Sequence, residues 1–303
     1  MENRKGKPMS YSDIAEALTK AVPTGHWAIA MEAVSLAQLA MPSAAIDREA
    51  RAKAIRATSG RVAIINVEGV ITQRAWWMGT TTEEISAAFS DAMDSSDISA
   101  IVLRVNSPGG SVYGVQELAD QIYISRGGKQ IIAVADSMAA SAAYWLGTAA
   151  DQLVVTPSGD VGSVGVFAMH VDWSKANEQF GVKPTYIYAG KYKVEGNPDE
   201  PLGAEAKASI QDSVNTTYDA FVQSVARHRG VTASAVRSGF GQGRLVDARA
   251  AKEIGMADRV ESFRDVLSKL AGTMATKKSP MRAEQMKLMR LNKERRNSYG
   301  DSR

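Results

Sequence analysis

Cysteine is absent from all 303 residues, which excludes a disulfide framework, a thiolate nucleophile and any thiolate metal site. Histidine is nearly absent too. His26, His170 and His228 are widely spaced, so no histidine-rich metal centre is expected, and nothing in the chain implies a cofactor. Long apolar runs are also missing. The most apolar early stretch, residues 27–46, is interrupted by Glu32, Gln38 and Pro42 and suits an amphipathic helix better than a membrane span. Residues 1–12 are polar and lack the apolar core of a signal peptide, so a protein soluble in the cytoplasm where it is made is expected. No Walker-type phosphate loop occurs, which leaves no sign of an intrinsic ATPase, and no nucleic acid is required by the pattern.

What is present is an ordinary globular composition, 45% hydrophobic and 23% charged, with charge unevenly spread. Residues 277–303 hold nine Lys or Arg against three acids, whereas the rest of the chain holds 27 basic and 30 acidic groups. A mildly acidic body therefore carries a basic tail, either a solvated end or an arm for acidic partners.

Hydrophobic spacing and composition divide the chain into three parts: a helical N-terminal extension (1–58), a central domain (59–270) and a basic flexible or helical tail (271–303). Within the middle part, Val62–Val67, Ile98–Val105, Gln130–Ala135, Leu153–Val155, Ser163–Met169 and Pro184–Tyr188 read as strands. Helices alternate with them. Thr81 and Glu84 form a capping box, Ala139–Ala149 starts directly after a strand, and Ile210, Val214, Tyr218, Phe221 and Val225 mark a long helix. This alternation predicts an α/β domain with a largely parallel sheet, its strands buried on both faces. Trp76 and Trp77, in a loop after the first of these strands, suit either a contact surface or packing under the N-terminal extension.

Ligands in such sheets sit beyond the carboxyl ends of the strands, and two of those ends are unusual. One is Ser107-Pro108-Gly109-Gly110-Ser111, whose glycines let backbone N–H groups turn outward, either as a plain turn or as donors to an oxyanion. The other places Ser141 among alanines at the start of a helix, as a small core serine or as a nucleophile. A serine nucleophile needs a base. A lysine serves when desolvation lowers its pKa from about 10.4 toward ~7–8. Lys191 and Lys193 are spaced to share one strand face, and His170 at a strand end is the other candidate.

These two strand ends, together with Gly162-Ser163-Val164-Gly165, Gly190-Lys191-Tyr192-Lys193 and the ending Ala251 to Asp258, resemble the signal peptide peptidase A family over residues 60–262. That family comprises Ser/Lys serine proteases of the Clp protease/crotonase-like fold. Within it, Lys193-Val194-Glu195-Gly196-Asn197-Pro198 and the N-terminal extension are most similar to the lambda-like prohead proteases of tailed phages. The resemblance implies Ser141 as nucleophile, Lys193 as general base, Gly109 and Gly110 as oxyanion-hole amides and Ser163 as the hydroxyl that positions the lysine. Ala142 stands where the family commonly has glycine, which bears on the width of the substrate groove.

The function implied is an ATP-independent endopeptidase acting on protein substrates, as a homo-oligomer, with phage scaffold, capsid or portal proteins as partners. Three alternatives stay open: a bacterial signal-peptide-degrading peptidase of the same family, a crotonase-type acyl-CoA enzyme, and an inactive assembly scaffold.

Overall fold

A computed structural model of the chain describes residues 27–29, 56–74 and 79–272. Its described residues form a nine-stranded sheet with helices on both faces. β1 (Trp27–Ile29) and β2 (Arg56–Ser59) precede β3 (Val62–Ile71), α1 (Thr82–Asp94), β4 (Ala100–Ser111), α2 (Val115–Ile124), β5 (Gln130–Ala140) and α3 (Ala142–Thr148). Then follow β6 (Gln152–Val155), β7 (Asp160–Gly162), α4 (Ser174–Gln179), α5 (Ala204–Arg229), α6 (Ala233–Gly239), β8 (Leu245–Asp247), α7 (Ala248–Glu253), β9 (Arg259–Val260) and a helix over 263–272, α8.

β3, β4, β5, β6 and β9 are parallel in that spatial order, with β2 antiparallel at one edge. The strand period of two explains why both faces are buried. Ala63, Ile65, Val67, Ile101, Leu103, Val105, Ile131, Ala133 and Leu153 face α1, α2, α3 and α5. Their alternates Val62, Ile64, Val102, Ile132, Val134 and Val154 pack under Val266 and Leu270 of α8. The expected α/β class with a largely parallel sheet is thus what the chain adopts. The capping box is present as read: the Thr81 hydroxyl accepts the Glu84 N–H at 3.1 Å and the Glu84 carboxylate accepts the Thr81 N–H at 3.0 Å.

Two strands run further than their apolar cores. β4 continues through Ser107-Pro108-Gly109-Gly110 instead of turning there, and β5 continues to Ala140. Bulges make this possible. Between Glu68↔Asn106 and Val70↔Gly109, β4 carries one residue more than β3, which is where a proline without a ladder N–H is tolerated. Between Val105↔Ala135 and Ser107↔Ala139, β5 carries two residues more than β4, and there it changes partner from β6 to β7.

Two expected strands are not formed among the described residues: β7 ends at Gly162, so that in 163–169 only Phe167 makes an isolated bridge, and 184–188 has no strand pairing. The N-terminal extension departs from an all-helical reading at Trp27–Ile29 and Arg56–Ser59, which are strands. The rest of it, Trp76, Trp77 and the basic tail lie outside the described residues.

Candidate active site

The site is built where β5 ends. Ser141 has φ 54° and ψ −118°, a conformation that costs a non-glycine residue of order 1–3 kcal/mol and survives only where its surroundings over-determine it. They do so at several points. The Ser141 N–H donates to the Gly162 carbonyl at 2.6 Å, tying the turn to the end of β7. One turn on, the Tyr144 hydroxyl donates to the Met256 carbonyl at 3.0 Å, and the next residue, Trp145, stacks on Phe221 of α5 at 4.6 Å. At the far end of α3 the Arg126 guanidinium donates to the carbonyls of Thr148, Ala149 and Ala150 at 2.6–2.9 Å, satisfying acceptors that a helix C-terminus leaves open. α3 is buried along its whole length.

This is a sharp strand-to-helix turn that carries a hydroxyl, the arrangement by which hydrolases present a serine nucleophile. The hydroxyl has one weak partner, the Gly165 carbonyl at 3.4 Å. Ser141 does not cap α3 with its side chain, and the N–H groups of Ala142, Ala143 and Tyr144 have no acceptor among the described residues. The amide next to Ser141, on Ala142, is therefore an open donor that side-chain reasoning passed over.

Gly109 and Gly110 lie alongside, on the extension of β4 beyond Ser107. Gly109 has φ 94°, in the region that favours glycine, and its N–H donates to the Ser107 hydroxyl at 3.1 Å, which itself donates to the Gly69 carbonyl at 2.6 Å. Gly110 has to be glycine for a different reason: a Cβ there would lie 1.9 Å from the Ile71 carbonyl oxygen. Ser163 is buried, has φ 53° and donates its N–H to the Arg244 carbonyl at 2.8 Å. Ser141, Ser163 and Ser137 are three of the four non-glycine residues with positive φ among the described residues, and all three fall at the ends or bulge of β5 and β7. Strain is concentrated where the sheet ends.

The base candidates lie elsewhere. Lys193 is exposed in a turn, its N–H donating to the Gly190 carbonyl at 3.1 Å, and no hydrogen bond joins its side chain to Ser141. The burial against strand residues expected for a neutral lysine is not provided by the described residues. Lys191 is engaged differently: its ammonium contacts the Tyr192 hydroxyl at 2.7 Å and Glu205 at 3.0 Å. The Tyr192 hydroxyl and the Glu205 carboxylate together raise the Lys191 pKa, holding it charged. His170 shares a hydrogen bond with the Asn197 carbonyl through Nε2 at 3.0 Å and makes none to Ser141 among the described residues. His228 is buried against Tyr123 and Thr148 and is structural. No cluster of potential metal ligands occurs among the described residues.

The family model "Peptidase family S49" matches residues 124–277, half of the chain, and the chain belongs to that family. The matched segment contains Ser141, Ser163 and Lys193. The chain is 31% identical over 225 residues to the head-tail preconnector protein GP5 of Enterobacteria phage P21, covering 73% of this chain and 44% of that protein. It is 30% identical over 274 residues to the capsid assembly protease C of Escherichia phage lambda, covering 89% of this chain and 61% of that protein. Protease 4 of Salmonella typhi is 29% identical, covering 71% of this chain and 35% of its own length. The chain thus spans about half the length of the phage relatives that it matches. No helix among the described residues is long and apolar enough to cross a membrane.

Proposed function

We propose that this chain is an ATP-independent serine endopeptidase in which Ser141 is the nucleophile and Lys193 the general base. The observation that carries the reading is the strained turn at Ser141, with its hydroxyl nearly unpartnered and an open amide beside it. Ser141 Oγ attacks the scissile carbonyl as its proton passes to neutral Lys193 Nζ. The oxyanion is held by the Ala142 N–H and by the amides of Gly109 and Gly110, the former exchanging its bond to Ser107 for one to substrate. Lys193 then returns the proton to the leaving amine, and water repeats the sequence on the acyl-enzyme. Ser163 holds the lysine in place.

Among the described residues Lys193 makes no hydrogen bond to Ser141, which favours completion of the dyad by a second copy. Residues 178–193 are all exposed, and they include Phe180 (60%), Ile187 (98%), Tyr188 (54%) and Tyr192 (54%), an uncovered apolar run of the kind that marks a contact between subunits. The half-buried Ile210 and Val214 of α5 continue it. A homo-oligomer in which this segment reaches the neighbouring Ser141 turn would desolvate Lys193 and so favour its neutral form.

Similarity to a capsid assembly protease and a head-tail preconnector supports proteins of phage head assembly as the substrates, acted on in the cytoplasm of a bacterial host. Similarity to Protease 4 supports the second reading, a signal-peptide-degrading peptidase. One experiment tests both the chemistry and the assembly. Ser141→Ala and Lys193→Met should each lose casein hydrolysis by about 10⁴-fold or more, and mixing the two should restore a fraction of it. No recovery in mixed, assembled protein would place both groups in one chain. Full activity of folded Ser141→Ala would refute the nucleophile.

A further inference from the structure

β1 pairs antiparallel with the end of β4, with Trp27 opposite Ser111, Ala28 opposite Gly110 and Ile29 opposite Gly109. The other edge of β4 is already taken at these positions, since Val70 pairs with Gly109 and Ile71 with Gly110. β1 must therefore lie on the edge toward β5. That edge is vacant because β5 last pairs with β4 at Ala139↔Ser107 and leaves the sheet at Ser141. Gly109 is two residues beyond Ser107, as Ser141 is two beyond Ala139, so Ile29 stands at the level of the nucleophile. The direction matters as well. Running antiparallel to β4, β1 enters from Ser111 and advances N to C toward the Ser141 turn, as the acyl side of a cleaved peptide must.

We infer that residues 27–29 occupy, by main-chain strand addition, the edge on which a substrate peptide has to pair, and that a substrate binds only by displacing them. This inference rests on Ser141 being the nucleophile of a peptidase. The edge fits an extended polypeptide because its partners are backbone groups of Gly109, Gly110 and Ser111, which select main-chain conformation and direction and leave side-chain choice to flanking pockets. Glycine at 109 and 110 leaves no side chain to hold a second backbone away. A three-residue strand with two or three ladder bonds is the kind of occupant that can be exchanged. Displacing so few ladder bonds lowers apparent substrate affinity by about ten- to hundredfold.

Two variants of the full chain test this. Successive strand residues direct their N–H groups to opposite edges, so Ala28→Pro combined with Ile29→Pro removes whichever ladder donor faces β4. Amide hydrogen exchange over residues 107–112 should accelerate, and KM for a fluorogenic peptide should fall about tenfold with kcat nearly unchanged. Conversely, Trp27→Cys with Ser111→Cys introduces the only two thiols in the chain at directly opposed positions. Opposed residues lie about 4.5–5.5 Å apart at Cα, within disulfide reach. The oxidised protein should hydrolyse no peptide and recover on reduction. Unchanged exchange in the proline variant, or equal hydrolysis by the oxidised and reduced cysteine variant, overturns the inference. Faster exchange with no hydrolysis in any form, the parent included, would instead overturn the peptidase reading, because exchange reports the strand whether or not Ser141 is reactive.

Discussion

His228 should make this protein sensitive to mild acid, although it takes no part in the proposed chemistry. Its ring is 5% exposed, stacked on Tyr123 with centroids 4.8 Å apart, and Nδ1 lies 3.0 Å from the Thr148 hydroxyl. That hydroxyl already donates to the Trp145 carbonyl at 2.8 Å, so Nδ1 must be the donor and the neutral Nδ1–H tautomer is the one bound. Burial, then the neighbouring Arg227 and Arg126, push its pKa down to about 3. An unfolded histidine titrates near 6.5, so between pH 6.5 and about 3 the unfolded chain binds a proton that the folded one refuses. Stability is therefore complete above the unfolded pKa and falls with pH below it. At 1.36 kcal/mol per unit the loss between pH 8 and pH 5 is about 2 kcal/mol, before most carboxylates titrate. His228→Gln keeps an N–H for Thr148 and removes the titration. Urea unfolding followed by tryptophan fluorescence should show the parent losing about 2 kcal/mol more than the variant over that interval. Parallel pH profiles for the two proteins would refute the reasoning, since a mere packing defect costs the same at every pH.

Other outcomes follow from single contacts. Lys191→Met should keep most of the hydrolytic rate, because its ammonium is committed to Tyr192 and Glu205, in contrast to the loss of about 10⁴-fold or more expected for Lys193→Met; the reverse result would move the base two residues. Gly110→Ala sets a methyl against the Ile71 carbonyl and should cost about 1–3 kcal/mol in chemical denaturation as well as activity, and an unperturbed, active variant would refute the crowding. Asp258 accepts two bonds from Arg229, at 2.8 and 2.9 Å, and one from the Leu153 N–H at 2.7 Å. Burial raises its pKa, but the bonds from Arg229 and Leu153 outweigh that and hold the carboxyl below its usual range, so this contribution is present at neutral pH and lost in acid. Asp258→Asn, which leaves Arg229 buried and uncompensated, should lower stability by about 3 kcal/mol, and a loss well under 1 kcal/mol would show the pair to be peripheral.

The sheet was legible because Ile101–Leu103 and Ile131–Val134 are apolar at every position, a pattern that only a strand covered on both faces satisfies. The long helix α5 was legible by its spacing, although Ile210 and Val214 are only half-buried in one chain. What the sequence concealed is how its ordinary turn residues are used. Asn106-Ser107-Pro108-Gly109-Gly110 has the composition of a loop, yet it continues β4, because a bulge removes the need for a proline N–H and Ile71 approaches too closely for any side chain at 110. Residues 163–169 and 184–188 have β-branched and aromatic character suited to strands, but local propensity cannot supply a ladder partner, and neither forms a strand among the described residues. Ser141, Gly109, Gly110 and Ser163 could be proposed from their motifs. The open amide of Ala142 could not, since an alanine carries no chemical signature in its side chain.

The distribution of rigidity in the fold bears on how the proposed dyad can work. Everything that fixes Ser141 is buried: α3 is enclosed along its length, and Gly162, Met256 and Phe221 reach it from three later segments of the chain. A conformation as costly as φ 54°, ψ −118° requires such enclosure, because any slack would let the turn relax. Lys193 has the opposite setting, in an exposed turn of a segment without a sheet partner. Removal from water favours the neutral form of a lysine, the form that can take a proton from serine. The strained half of the machinery can thus be complete in the monomer at no risk to the cell, while the base is switched on only when association removes water from it. On this reasoning, hydrolysis should rise with protein concentration faster than linearly until the oligomer saturates. Strict proportionality down to the dissociated chain would mean that Lys193 finds its low-dielectric setting within its own subunit.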